Sequence, residues 1–392
     1  MRAVIVGAGR IGCGYLAPTL AAAGWEVLLA VRDDERARRI ARAAGWDVLV
    51  TAPERELLRV GPVPAVTVGG EAFARAVASA DVVCTAVGVG NVGSLAAPLA
   101  RALARRPRGR PLDVWVVENG ACAAPLAAAV RVHAGASLPH VGFAGGVATA
   151  VVARGDWTER RPLFVGDGPR RLALDARRLV RGGPLPAGVE ATAAYEARLR
   201  EKLFTFNAAH AICAYLGFLR GHRTIDEAVA DGELRPMVAG CLLESRRALL
   251  GQYPVLGRDL HGPVAEAMRR FADPELADPV RRVARDPIRK LRPGDRLLGP
   301  VELIRRATGS VPCYFALAVA GALLYRDARD EQACALRERL AREGVRETLR
   351  GVCGLAPGDP FAGAVVERYR GVVFDGGVAD LPAVRSPAGG SP

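Results

Sequence analysis

Gly7-Ala8-Gly9-Arg10-Ile11-Gly12 stands directly behind a short apolar run, Ala3-Val4-Ile5-Val6, at the start of the chain. No other stretch restricts the fold as much. Glycines in the GxGxxG spacing, with a strand before and a helix after, each have a separate use. Gly7 permits a tight turn, Gly9 lets a pyrophosphate approach the backbone, and Gly12 lets the helix close onto the strand. The N-terminus of that helix then stabilises the anion. Gly14 extends the motif, and Cys13 within it reads as a small packing residue.

The segments that follow repeat the strand–helix alternation. EVLLAV (26–31) is a second strand, and DDERARRIARAAG (33–45) is a helix with an acidic first turn, closed by glycine. DVVCTAV (81–87) and DVWVVEN (113–119) are further strands, separated by an alanine-rich helix around 92–106. Alternation of this kind implies a parallel sheet with helices on both faces. A carboxylate at the end of the second strand would hydrogen-bond the adenine ribose of NAD. The residue there is Val31, and Arg32 follows it, which favours a 2′-phosphate and so NADP over NAD. Asp33 and Asp34 keep NAD open if the loop shifts; otherwise they cap the next helix.

From about residue 191 the pattern becomes helical, and no strand is evident. AAYEARLREKLFTFNAAHAICAYLGFLRG reads as one long helix ended by Gly221. Further helices are expected over 225–252, 262–271, 275–285, 300–308, 314–327 and 329–344. The expected organisation is a doubly wound Rossmann-type domain over 1–190, a mainly α-helical domain over 191–373, and a disordered tail rich in Gly and Pro over 374–392.

Of the 54 basic residues only Lys202 and Lys290 are lysines. Arginine keeps its proton in a protein, whereas a buried lysine can approach neutrality, so a lysine in this background is a candidate for proton transfer. Lys202 lies in EKLFTFNAAH with Asn207 and His210. On a continuous helix at about 100° per residue, Asn207 lies about 140° and His210 about 80° from Lys202, so all three project from one side. Dehydrogenation of a secondary alcohol needs a base, donors to the developing alkoxide, and a group that fixes the carbinol. Lys202, Asn207 and His210 suit those roles in turn. Asn119 adds a fourth member at the carboxyl edge of the sheet, where open α/β folds bind ligands.

These segments resemble the polyol-specific long-chain dehydrogenases, most closely the mannitol-1-phosphate 5-dehydrogenase branch. KLFTFNAAHAICAYLG (202–217) matches that family's Lys-x4-Asn-x2-His signature. GAGRIGCG (7–14), TAVG (85–88), VENG (117–120), HVGF (140–143), GHRTIDEA (221–228) and DPIRKLRPGDRL (286–297) extend the match over roughly residues 1–370. The resemblance implies that Lys202 is the acid/base, that Asn119 and Asn207 polarise the reacting oxygen, and that His210 positions the substrate. It implies cofactor contacts at Gly7, Gly9, Arg10, Ile11, Gly12, Arg32 and Val87. It places Arg289 and Arg296 at substrate, and Lys290 in the same substrate segment with either a phosphate contact or a surface ion pair. The family is metal-independent. Two departures bear on specificity. Val31 replaces the family's cofactor aspartate, and Thr149-Ala150 stand where the family has an Asp-Arg pair that shapes the polyol site.

Composition excludes several other classes. The eight cysteines form no CxxC pair, which reads as reduced thiols in a cytoplasmic protein, and the five histidines do not cluster with them into a metal site. No apolar run is long enough to span a membrane. The excess of Ala, Arg and Gly points to a GC-rich, bacterial genome. The formal net charge is +13, but the arginines are dispersed with few aromatics between them. That suits attraction of an anionic cofactor or a phosphorylated substrate better than nucleic acid. The expected protein is an NAD(P)-dependent dehydrogenase acting on a polyol, cyclitol or sugar phosphate. Alternatives are the same chemistry on a specialised phosphorylated biosynthetic intermediate, of cyclitol or nucleoside type, and a non-catalytic dinucleotide-binding protein. The sequence gives no oligomeric state.

Overall fold

Strand β1 (Arg2–Val6) shows why the N-terminal sheet is buried on both faces. Successive side chains point to opposite sides of a strand, so Ala3 and Ile5 enter one hydrophobic cluster while Val4 and Val6 enter another. The same division holds for β2 (Glu26–Val31), where Leu29 and Val31 face one cluster and Ala30 the other. An apolar run with both faces covered by helices is the signature of a parallel sheet. The structure is a computed structural model that describes residues 1–157, 161–168 and 170–374. From residue 375 on, the expected tail lies outside the described residues.

The remaining strands are β3 (Trp46–Val50), β4 (Glu56–Val60), β5 (Ala65–Thr67), β6 (Val82–Thr85), β7 (Leu112–Val116), β8 (Val141–Ala148), β9 (Val152–Arg154), β10 (Leu163–Gly166), β11 (Leu172–Asp175) and β12 (Val189–Thr192). With β1 and β2, six of them form one eight-stranded sheet in the order β12-β11-β8-β7-β6-β1-β2-β5. From β8 to β5 every pairing is parallel; β11 runs antiparallel to β8. The strand order reverses between β1 and β6, and ligands bind at such a switch point in open α/β sheets. A second sheet, β4-β3-β10-β9, is built from segments with no strand expectation in the sequence reading. Its strands are short, three to five residues each.

The chain divides into two compact units, Met1–Leu199 and Arg200–Pro392, with the division inside the Tyr195–Phe204 helix. Among its described residues the second unit is helical, apart from an isolated bridge between Thr224 and Pro279. Two of its helices, Phe206–Leu219 and Cys313–Leu324, are buried on nearly all sides. Their alanines and glycines let neighbours approach. A Cβ on Gly217 would sit 2.7 Å from that of Ala228, and one on Gly321 would sit 3.2 Å from Leu216. No helix among the described residues is long and apolar enough to cross a membrane.

Several helix expectations need correction: 225–252 divides into Ile225–Ala230 and Leu234–Gln252, and the helix expected over 275–285 is confined to Val280–Ala284. The stretch 193–221 is not one helix: it breaks at Thr205, whose φ of −107° and ψ of −83° are non-helical, giving Tyr195–Phe204 and Phe206–Leu219. The Thr205 hydroxyl bonds back to the Glu201 carbonyl at 2.5 Å, a contact that bends helices. The Ser245 hydroxyl donates to the Phe204 carbonyl at 2.6 Å, satisfying an acceptor at the break.

Candidate active site

In the first unit the three glycines of the loop are needed for three different reasons. Gly7 has φ +112°, and a Cβ there would lie 2.3 Å from the Ala86 carbonyl oxygen. A Cβ on Gly12 would lie 1.9 Å from the Gly7 carbonyl oxygen, so the helix can close on the strand only without one. A Cβ on Gly9 would meet nothing within 4 Å. Open space above a mid-loop glycine, beside a helix start, fits a dinucleotide pyrophosphate. The helix that follows has a π-helical turn over Gly12–Leu16. Arg10 and Ile11 are half-buried at its start.

Two tryptophans brace this loop from beneath. The Trp157 indole donates to the Ala8 carbonyl at 2.9 Å and the Trp46 indole to the Cys13 carbonyl at 2.9 Å. Both rings are buried and pack edge to face at 5.3 Å. The Ala8 carbonyl also accepts from Arg36 Nη2 at 3.0 Å. Holding this carbonyl fixes the peptide orientation without any contribution from a ligand.

Val87 lies after β6 and is positioned by Glu118, at the end of β7. The Glu118 carboxylate accepts the Val87 and Gly88 amides, each at 2.9 Å. Burial raises its pKa above the usual carboxylate value, although the two amides work against this. Next to it, Asn119 is exposed in the bend after β7, at the carboxyl edge of the sheet. At the end of β2, Val31 is packed into the core and Arg32 is exposed. Asp33 caps the Asp34–Arg42 helix by accepting the Arg36 amide at 2.8 Å, and Asp34 accepts the Thr67 hydroxyl. The capping role anticipated for this acidic pair is therefore seen at Asp33.

In the second unit the break at Thr205 separates the proposed proton-transfer residue from its partners. Lys202 is half-buried in the last turn of the first helix, while Asn207 and His210 are half-buried in the opening turns of the second. The angular relation expected of one continuous helix does not apply across the break. It holds between Asn207 and His210, three residues apart on one helix. Glu201 pairs with the buried Arg246, whose Nε donates to the Asp259 carbonyl at 3.1 Å, and this pins the first helix just before Lys202.

His210 is fixed on two sides. Its Nε2 lies 3.1 Å from Asp278 Oδ2, and its ring stacks on Phe271 at 5.1 Å and 17°. Asp278 is buried and also forms an ion pair with Arg282. Burial tends to raise the Asp278 carboxyl, but His210 and Arg282 outweigh it and bring it down to about 2. An ionised carboxylate on one ring nitrogen sets the orientation and tautomer of the imidazole.

The three expected substrate residues lie together but differ in environment. Lys290 is 3% exposed, with its ammonium on the carbonyls of Val283 and Arg285 and 5.7 Å from the centre of the Tyr215 ring. Burial, with Arg296 and Arg289 beside it, pushes it well below the usual lysine range. Those contacts tie Lys290 to the backbone instead of presenting it to a ligand. Arg296 is buried with Nε on Asp295 at 2.8 Å, and its Nη2 has no hydrogen-bond partner among the described residues. Arg289 is half-buried, with Nη2 3.3 Å from Asp286.

Comparison with known proteins places this arrangement. The chain matches the mannitol dehydrogenase Rossmann domain over residues 1–134 and the mannitol dehydrogenase C-terminal domain over residues 193–371. The chain belongs to the mannitol dehydrogenase family. Mannitol-1-phosphate 5-dehydrogenase of Geobacillus thermodenitrificans (strain NG80-2) is 32% identical over 381 residues, covering 94% of this chain and 98% of that protein. That of Bacillus pumilus (strain SAFR-032) is 29% identical over 389 residues, covering 94% and 99%. Among solved structures, Pseudomonas fluorescens mannitol 2-dehydrogenase in ternary complex with NAD and D-mannitol has the same fold, with a TM-score of 0.79 at 17% identity over 96% of this chain and 92% of that one. D-sorbitol dehydrogenase in substrate-free form follows at 0.74 and 17%, over 97% and 94%. As a member of the mannitol dehydrogenase family, the protein is a dinucleotide-binding oxidoreductase acting on CH–OH groups.

Several residues around these sites escaped the sequence reading. Trp46 and Trp157 carried a signal, being two of only four tryptophans in the chain. Glu118 carried a weaker one, as an acid at the end of an apolar strand. Asp278 and Ser245 carried none, because each meets its partner through packing of segments far apart in sequence.

Proposed function

We propose that the protein interconverts a secondary alcohol and a ketone on a phosphorylated polyol or a related cyclitol or sugar phosphate, with NADP favoured over NAD and Lys202 as general acid/base. The observation that carries this reading is that Lys202 and, close behind it in sequence, Asn207 and His210 stand half-buried on the two helices flanking the Thr205 break, in a chain whose only other lysine is tied to backbone carbonyls. The bound nicotinamide would accept or return the hydride. Lys202, neutral, takes the hydroxyl proton during oxidation and returns it during reduction. Asn207 donates to the oxygen as negative charge develops there. His210, oriented by Asp278, holds the carbinol hydroxyl or its neighbour.

Phosphate is supported by Arg289 and Arg296, above all by the Nη2 of Arg296, a buried donor held without a protein acceptor. The names of the curated relatives support it too. The substrate is a specialised one, because Thr149-Ala150 supplies no charge where relatives of this type have an Asp-Arg pair. Thr149 is occupied instead by the Arg171 backbone, with contacts of 3.2 and 3.1 Å. NADP is supported by the absence of a carboxylate at Val31 and the presence of Arg32.

The test is turnover across hexitol phosphates, free hexitols and cyclitols, with NADP and NAD in parallel. A phosphorylated substrate is expected to exceed its free form in kcat/KM by at least about tenfold, the discrimination expected from charge-assisted hydrogen bonds. Dinucleotide binding without turnover of any alcohol or ketone would favour a non-catalytic role instead.

A further inference from the structure

The cofactor preference proposed above rests on Arg32 and on a missing carboxylate; the structure adds a second cation from the next helix. Arg36 lies in the first turn of the Asp34–Arg42 helix, and its Nη2 donates to the Ala8 carbonyl at 3.0 Å. Ala8 sits between Gly7 and Gly9, so this bond ties the guanidinium to the glycine loop itself. Arg36 stands in the first turn of the helix that follows the carboxyl end of β2, and Arg32 directly follows the last residue of that strand. In a sheet of this type the adenine ribose lies at that position.

We propose that Arg36, together with Arg32, grips a phosphomonoester on the 2′ position of the adenine ribose and so sets the choice of dinucleotide. This deepens the NADP reading and depends on it. A guanidinium has five N–H donors in a fixed fork, and one bond to Ala8 leaves the others for phosphate oxygens. Among the described residues Arg36 makes no other side-chain hydrogen bond, and Arg32 makes none. The neighbouring acids are engaged elsewhere. Asp33 holds the Arg36 amide at 2.8 Å, Asp34 holds the Thr67 hydroxyl, and Glu35 pairs with Arg39 at 3.1 Å. Turning Asp33 toward a ribose hydroxyl would forfeit the cap that places Arg36. The buried methyls of Val31 offer a ribose hydroxyl no hydrogen bond.

Calorimetric binding of adenosine 2′,5′-bisphosphate and of 5′-AMP tests this without turnover. The wild-type protein is expected to bind the bisphosphate at least about tenfold more tightly, roughly one charge-assisted contact. Arg36→Leu should weaken 5′-AMP by about three- to tenfold through the lost bond to Ala8, and the bisphosphate by about a further tenfold, removing most of that advantage. Arg36→Lys keeps the charge without the fork, so it should lose part of the advantage, and it guards against a folding defect in the leucine variant. Equal weakening of both ligands would make Arg36 a loop brace only and overturn the proposal. An unchanged preference in both variants would overturn the role of Arg36 and leave the NADP reading standing. No preference in the wild-type protein would remove that reading, and this inference with it.

Discussion

The glycine loop of the first unit and the helix break at Thr205 in the second are built in different ways. The loop is a contiguous motif whose residues are dictated by backbone geometry. The break places three reactive side chains on two helices and relies on Ser245, Arg246 and Asp278 to hold them. Local backbone constraints leave a strong mark on sequence. Constraints from packing between distant segments leave almost none.

That contrast is sharpest between Gly9 and Gly12. Gly12→Val should cost more than about 4 kcal/mol of stability, since its Cβ starts 1.9 Å from a carbonyl oxygen; thermal unfolding reports this. Gly9→Val should fold normally and lose at least about a hundredfold in dinucleotide affinity, because only the ligand occupies that space. If both variants merely unfold, the loop is not the preformed cradle described here.

On the other side, Asp278→Asn should lower kcat/KM by about 100-fold, the bottom of the acid–base range, and alter the pH profile. A stability loss with an unchanged profile would show that Asp278 only supports packing. Its carboxyl is depressed to about 2 from 3.8. The stability it contributes is therefore complete above about pH 4 and is lost only as pH falls toward 2. Trp157→Phe removes the indole donor to Ala8 but keeps most of the ring. The expected loss in dinucleotide affinity is about three- to tenfold, for one neutral hydrogen bond, with substrate KM unchanged.

The smallest effect concerns Glu244 in the Leu234–Gln252 helix. Burial raises its carboxyl to about 7 from 4.5, against the opposing effect of Arg247. The folded state then holds a proton that the unfolded state releases, so stability falls as pH rises from about 4.5 to 7. Allowing for its partial exposure, the drop should be about 1 kcal/mol, and Glu244→Gln should flatten it in unfolding curves taken at pH 5 and pH 8.

Much of the fold was legible. Buried strands around a glycine turn, followed by helical periodicity, announced a Rossmann sheet and a helical second half. The second sheet was not, because β3, β4, β9 and β10 are short and β3 meets β10 only through pairing of segments far apart in sequence. The break at Thr205 was hidden for a different reason: a threonine with neither Pro nor Gly beside it does not advertise a kink, and the bond from its hydroxyl to Glu201 depends on geometry. At the candidate site the lysine imbalance singles out two residues but does not separate them. Burial separates them, since Lys290 is tied to carbonyls while Lys202 lies half-buried beside Asn207 and His210 in sequence.

Single-turnover reduction of the ketone by Lys202→Met, with dinucleotide affinity measured on the same sample, tests the central claim most directly. Intact dinucleotide binding is expected, with a hydride-transfer rate reduced by at least about a hundredfold, the contribution of a positioned acid–base group. A variant that keeps more than about a hundredth of the wild-type rate would contradict the assignment of Lys202 as the proton-transfer residue.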